Sequence, residues 1–302
     1  MKKNIIFWSL VLFTLSFNTC NNYDIDEEKE KTDYLTSFEL IKNQELSFND
    51  YLIPNLVEVK NNIATIGFIK SAQLYSITLT DNYSYQCIEF IKKAIQSKEY
   101  LEVQLLKDSK EIGKIKQIPK EKQFMLEAMT APPTEPVLSL RARTKKALYY
   151  EDALLLISEG KKIINFEYLS DGCYARAHAM YRHFKRFYSE YYCQKVFAFG
   201  FLSYYSTKYS CYTGWRYHVA FCVSVVAGPF KELKIIDPGL SDVPLSHSEW
   251  INLLLSLPNN YLESTFFTEP EVYYREGGTI LYDNHYFDTD ATLERFKLYK
   301  GC

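Results

Sequence analysis

Histidine is scarce in this chain. Its 302 residues include five, His178, His183, His218, His247 and His285, and none lies in the N-terminal half. Residues 34–130 hold a single cysteine, Cys87, and no imidazole, so any chemistry pairing a thiol with a histidine falls to the C-terminal half. No Cys-x-x-Cys occurs, and His178 and His183 fall on different faces of a helix, so a zinc site is not expected. The net charge of −2 comes without a basic patch on the scale that nucleic acid requires. Glycine (11) and proline (10) are modest while tyrosine (26) and phenylalanine (20) are abundant, so most of the chain should fold, as one large domain or two smaller ones. There is no internal repeat.

Long apolar runs are confined to the start. Lys2 and Lys3 precede an apolar stretch from Ile5 to Phe17, too short to span a bilayer comfortably and of the length of a secretory signal. Cys20 follows, then the acidic stretch Asn21-Asn22-Tyr23-Asp24-Ile25-Asp26-Glu27-Glu28. This pattern resembles a bacterial lipoprotein signal, with Cys20 lipidated and residues 21–33 as a tether. Plain secretion is the alternative, because Phe17-Asn18-Thr19 fits the usual lipobox poorly. Either way residues 1–20 direct export, to the cell surface or periplasm, and the membrane is met only through a lipid anchor. Export permits disulfides. Cys193 follows a helix and Cys211 precedes a strand, so this pair is expected to bridge, with Cys222 a reduced core thiol.

Residues 34–130 read as a small α+β unit, with strands at 56–59, 64–69, 74–79, 101–106 and 112–118 and a helix at 83–97. Asn61-Asn62 marks a hairpin turn. The Pro-rich stretch Ala131-Pro132-Pro133-Thr134-Glu135-Pro136, followed by basic residues, reads as a linker over 131–144, either protease-sensitive or simply solvated. Residues 145–302 begin with helices, at 145–159 and from Cys173. Strands follow at 195–204, 217–226 and 233–236, then a helix at 246–256 and a hairpin at 271–282. Helices first and antiparallel strands after indicate an α+β class.

The run Asp171-Gly172-Cys173-Tyr174-Ala175-Arg176-Ala177-His178 places Cys173 in the first turn of an amphipathic helix, behind the capping candidates Ser170 and Asp171. Unpaired backbone N–H groups and the positive end of the helix dipole favour a thiolate there. The same position also suits a buried structural cysteine. In the strand around His218, the histidine shares a face with Ala220, Cys222 and Ser224, which leaves room above the ring. If the strand pairs with 233–236 through a turn centred between Ala227 and Gly228, Asp237 lies directly across from His218, with Cβ atoms about 5 Å apart. Pro238 keeps Asp237 extended. Cys173, His218 and Asp237 thus form a candidate nucleophile, base and orienting carboxylate.

These motifs carry a resemblance. Ile164-Asn165-Phe166, the Cys173 run, Trp215-Arg216-Tyr217-His218-Val219-Ala220 and Ile236-Asp237-Pro238 occur in order. Val272-Tyr273-Tyr274-Arg275, Leu281-Tyr282-Asp283-Asn284 and Lys300-Gly301-Cys302 follow. Together they make residues 145–302 resemble the bacterial protein-glutaminases, which are papain- and transglutaminase-like in architecture. The resemblance implies a C-terminal catalytic domain with an antiparallel sheet and N-terminal helices, preceded by a pro-like domain that covers the site until a protease removes it. It implies deamidation of glutamine side chains in proteins or peptides through a thioester on Cys173, with no metal or cofactor. The oxyanion would be met by the backbone N–H of Cys173, with Trp215 nearby as a substrate-binding residue. A transglutaminase or cysteine protease shares the same triad, and a non-catalytic surface lipoprotein is the reading outside enzymes.

Overall fold

The computed structural model describes residues 36–130 apart from 42, 43 and 108, and residues 145–302 apart from 277. The expected signal and tether with Cys20, and the expected linker at 131–144, lie outside the described residues. The N-terminal part runs β1 (Ser37–Glu39), β2 (Leu46–Leu52), β3 (Pro54–Lys60), β4 (Ile63–Phe68), β5 (Ser71–Thr78), α1 (Asn82–Ser97), β6 (Leu101–Leu106), β7 (Ile112–Gln117) and α2 (Lys120–Met129). Its strands form an antiparallel sheet in the order β1-β7-β6-β2 and a second, β3-β4-β5. Asn61 and Asn62 join β3 to β4 with φ of 51° and 60°, the paired left-handed backbone that a tight hairpin needs. Asp81 and Ser84 cap α1 reciprocally. That helix buries Cys87, Ile88, Ile91 and Ala94 against Phe38, Ile66, Tyr75, Val103 and Ile115.

The C-terminal part runs α3 (Tyr150–Ile163), α4 (Cys173–Phe187), β8 (Cys193–Ser206), β9 (Cys211–Ala227), β10 (Phe230–Ile236), α5 (His247–Leu254), β11 (Tyr261–Thr268), β12 (Val272–Glu276), β13 (Thr279–Tyr282) and α6 (Phe287–Arg295). An antiparallel sheet in the order β10-β9-β8-β11 is its centre, with α4 packed on β9 and α5 on β8 and β10. Helices and antiparallel sheets make the α+β class expected. The alternation read in β9 does not separate inside from outside, since every side chain from Tyr217 to Val225 is buried. Lys195 of β8 is buried with them. Its ammonium donates to the Val272 carbonyl at 2.7 Å and to His178 Nδ1, and burial pulls its pKa down to about 7.

Two expectations are corrected here. The β9–β10 turn is centred one residue later than expected, on Gly228-Pro229. Phe230 therefore pairs with Ala227 and Ile236 with Phe221. Gly228, at φ +59°, occupies the first turn position, where only glycine is at ease. The pairing is displaced by two residues, so Asp237 follows on beside Ala220 instead of facing His218. A displacement of two keeps the same face of the sheet, and the two side chains meet as diagonal neighbours.

The disulfide joins Cys211 to Cys302, not Cys193 to Cys211, with Cα atoms 6.1 Å apart. Cys193 lies opposite Val223 and Cys211 opposite Ser206, at the two ends of the β8–β9 hairpin, so the length of β8 separates them. Cys193 remains a buried free thiol, as do Cys87, Cys173 and Cys222. The tail that brings Cys302 back is paired as a strand would be: Gly301 donates to Glu167 and accepts from Leu169, each at 2.8 Å.

The bridge closes 91 residues of chain, and in the loop-entropy account Cys302→Ser should cost on the order of 4 kcal/mol. Thermal unfolding of the oxidised protein and the variant would measure it. Equal melting temperatures would mean that backbone pairing of the tail suffices without the bridge.

Candidate active site

Helix α4 starts from Gly172, whose φ of +81° turns the chain sharply into Cys173. A Cβ there would lie 3.1 Å from the Phe296 ring and 3.2 Å from the Arg176 guanidinium, so space and backbone both require glycine. Neither Ser170 nor Asp171 caps the helix. Asp171 Oδ1 accepts from the backbone N–H of Gly172 at 2.7 Å and of Ala72 at 2.9 Å, and Oδ2 accepts from the Ser71 hydroxyl. The first amides of α4 have no acceptor within the helix, and no side chain takes them up, so they stand beside the thiol of Cys173.

The sheet supplies the other groups. His218, on β9, holds Asp237 Oδ2 with Nε2 at 2.8 Å, and the Trp250 indole donates to the same carboxylate oxygen at 2.9 Å. Burial pushes the Asp237 carboxyl up, but the His218 ring and then the Trp250 N–H outweigh it and hold it below its ordinary value. Burial pulls His218 down, but Asp237 and then Cys173 more than reverse this and raise the ring to about 9. Asp237 occupies Nε2, so Nδ1 is the nitrogen left for the Cys173 thiol, and it is buried with no other hydrogen-bond partner. Trp215 and Trp250 flank the imidazole, with ring centroids 4.5 and 5.8 Å away. The structure brings thiol, imidazole and carboxylate together, with the histidine gripped through Nε2.

Trp215 stands beside His218 but is not a free donor. It is 1% exposed and its indole N–H is committed to the Leu169 carbonyl at 2.9 Å, so its side chain holds the loop before Cys173 and packs on the imidazole. The other histidines stay apart: His178 meets Lys195, His183 meets Glu159, and His247 meets the Thr265 hydroxyl. Among the described residues no cluster suits a metal ion. Sequence reasoning missed Trp250. Its signal was a tryptophan directly after the Ser246–Glu249 capping box, on the inward face of a short helix.

The N-terminal part packs against the site. Ile69 and Ala72, either side of the β4–β5 corner, join the apolar cluster that contains Cys173, Tyr174, Ala177 and Tyr217. Besides the Asp171 contacts, the Tyr217 hydroxyl donates to the Ile69 carbonyl at 3.1 Å, and Gln73 donates to the Tyr168 hydroxyl at 2.9 Å. Lys70 pairs with Asp288 and Arg295 with Asp50, both at 2.6 Å. Cys173 is left 2% exposed.

The chain is similar to proteins already known. A family model described as Glutaminase matches residues 140–254. The structure is similar to that of pro-protein-glutaminase, at 27% identity over 86% of this chain and 95% of the other, with a TM-score of 0.71. An A47Q2 mutant of pro-protein-glutaminase gives 27% identity over 85% and 95%, with a TM-score of 0.72. The protein-glutaminase from Chryseobacterium proteolyticum is 31% identical over 52% of this chain and 91% of its own, with a TM-score of 0.47. No curated protein sequence matches.

The His218 pKa sets a pH window. A ring raised from 6.5 to about 9 contributes stability that is complete below 6.5 and lost as the pH climbs through 9. In Asp237→Asn the ring should lose its proton at least about one pH unit lower, because the larger of the two raising charges is gone. Titration of the His218 ring by NMR would show it. A variant ring still protonated up to pH 9 would assign the shift to another group.

Proposed function

The chain belongs to the protein-glutaminase family and is an enzyme acting on protein glutamine, and from that premise we propose that Cys173, His218 and Asp237 carry out the deamidation through a thioester. The supporting observation is one buried imidazole that holds a carboxylate through Nε2 and leaves Nδ1 to a thiol at a helix start. The Cys173 sulfur, as thiolate, attacks the γ-carboxamide carbon of a glutamine side chain. The developing oxyanion meets the free amides at the start of α4, the backbone N–H of Cys173 first. The C–N bond breaks and nitrogen leaves as ammonia, taking its additional proton from the His218 imidazolium. Neutral His218 then removes a proton from water as it attacks the thioester. The C–S bond breaks, glutamate leaves, and thiolate and imidazolium are restored. Asp237 keeps the ring oriented and charged, and Trp250 keeps Asp237 in place. No step calls for a metal.

We propose further that the pro-like N-terminal part restrains this chemistry. With Cys173, His218 and Asp237 at 2%, 3% and 7% exposure, a glutamine on another protein has no path to the sulfur while residues 69–72 are in place. Cleavage within 131–144 would remove the tether that keeps this cover at an effective concentration on the order of millimolar. The export and lipid anchor expected at Cys20 belong to the same proposal: an anchored latent enzyme, freed by an external protease.

Ammonia release from a glutamine-bearing protein tests the chemistry. Cys173→Ala and His218→Ala should reduce it to background with the fold intact by circular dichroism. Asp237→Asn should lower kcat by about 10²–10⁴-fold. Release of ammonia by Cys173→Ala at the original rate would end the thioester mechanism, and cross-linked lysine or a cut main chain would point to a different acyl acceptor or bond.

The same assay, run on the full chain before and after limited proteolysis in 131–144, tests the restraint. The nicked chain should be at least about tenfold faster, in line with loss of the tether's effective concentration. Equal rates would make the N-terminal part a spacer.

A further inference from the structure

Arg176 has no part in the chemistry above, yet it lies one turn after Cys173 on α4 and is 6% exposed. Its guanidinium packs against the turn that presents the thiol. Nη1 donates to the Asp171 carbonyl at 2.8 Å, and a Cβ on Gly172 would lie 3.2 Å from the same nitrogen. Arg176 also shares a cavity of about 10 Å³ with Cys173 and Asp237, the rest of whose lining is apolar. That is the space of about one water. Burial pushes the Asp171 carboxyl up, against its hydrogen-bond donors and the Arg176 charge. Against burial, the same charge joins His218 and Trp250 in holding Asp237 down. The other titratable groups around this cluster are Tyr168 before α4, Tyr204 on β8, and Tyr217 and Cys222 on β9. Burial raises all four, so they stay neutral where His218 titrates. Lys110, from the N-terminal part, faces Asp171, and burial pulls it below its ordinary value.

We propose that Arg176 is a positioning residue of the triad, whose charge offsets the buried carboxylates and sets how readily His218 gives up its proton. The proposal rests on the deamidase reading and deepens it. In that reaction His218 has two duties. As imidazolium it donates to the departing nitrogen, and as neutral imidazole it then takes a proton from water. Asp237, Asp171 and the Cys173 thiolate all act to hold the proton on the ring, which serves neither duty. A cation placed among the three negative groups opposes them and keeps the ring a usable acid. A unit charge across the width of one water moves a neighbouring pKa by on the order of one unit. The Nη1 bond to the Asp171 carbonyl is a separate, structural contribution, since it steadies the turn through Gly172. The two contributions predict opposite signs. Losing the charge alone strengthens the hold on the His218 proton. Losing the turn lets water screen Asp237 and weakens it.

The first measurement is NMR titration of the His218 ring in the full chain, which does not depend on catalysis. Arg176→Gln removes the charge and keeps an N–H for the Asp171 carbonyl, Arg176→Lys keeps the charge, and Arg176→Met replaces Arg176→Gln if that variant fails to fold. Loss of the charge should carry the midpoint upward from about 9 by about 0.5–1 pH unit. Arg176→Lys should stay within about 0.3 unit of the unaltered protein. The second measurement is ammonia release from a peptide with one internal glutamine, using the full chain nicked within 131–144. In Arg176→Gln both limbs of kcat/KM against pH should move upward, with kcat at neutral pH about 2–10-fold lower and KM within about twofold. A midpoint that is unmoved, or that falls toward 6.5, in the neutral variant would overturn the proposal and leave Arg176 a fastening for the turn. So would Arg176→Lys shifting as far as Arg176→Gln, or a pH profile that drops in height with its limbs in place. No ammonia from the unaltered nicked chain would fail the deamidase reading, while the His218 midpoint still decides whether the Arg176 charge acts on the ring.

Discussion

The contact of His218 Nε2 with Asp237 Oδ2 at 2.8 Å takes place with both residues almost wholly out of water. Desolvating two ionised groups costs several kcal/mol each, and their attraction repays it only where geometry is held and spare lone pairs are satisfied. Much of the local architecture meets that condition. The Trp250 indole supplies a second donor to the carboxylate, and Trp215 and Trp250 wall the ring from solvent. Trp215 is itself fixed by the Leu169 carbonyl, in a segment whose backbone pairs with Gly301, one residue from the Cys211–Cys302 bridge. A covalent link at the far end of β9 thus bears on the orientation of an imidazole near its middle.

The N-terminal part has a core of its own around α1, but it also extends one corner into the catalytic cluster. Polar contacts ring that corner: Lys70 with Asp288, Arg295 with Asp50, and Asn55 with Glu276. A purely apolar plug would be hard to remove once seated. This one is held by charges and hydrogen bonds that water can replace, and separation costs less when the tether is gone.

The α+β class, most strands and the three residues at the centre were legible in the chain. Cys173 was marked by the capping candidates Ser170 and Asp171, neither of which caps the helix, and by helical spacing after it, and His218 by the small residues sharing its face. The His–Asp contact was anticipated through a pairing wrong by two residues. It survived because strand side chains repeat every two positions, so an even error keeps the face. What was not legible depended on distance along the chain. Cys302 lies 91 residues from its partner, and nothing local marks it as nearer to Cys211 than Cys193 is. Helix α2 went unread because its apolar residues Phe124, Met125, Leu126 and Met129 bunch together and none is buried, and β11 was hidden in a segment of mixed polarity. Asp171 was read as a helix cap because its position suits one. Its actual partners, Ser71 and Ala72, are about a hundred residues away, the two bonds spanning 100 and 99 positions.

The 2% exposure of Cys173 has a chemical side apart from the restraint of activity. A thiol activated for attack on carbonyl carbon is also the thiol most readily carried to sulfenic and then irreversible sulfinic acid. The other free thiols among the described residues, Cys87, Cys193 and Cys222, are buried in apolar surroundings, where burial pushes each of them up. With residues 69–72 seated, the described part of the chain offers peroxide no accessible thiol. The latent form is therefore a storage form. On the restraint and export proposed above, the lifetime of its thiol is set by how rarely one corner of the β4–β5 hairpin lifts, and oxidative inactivation begins only when that cover is removed.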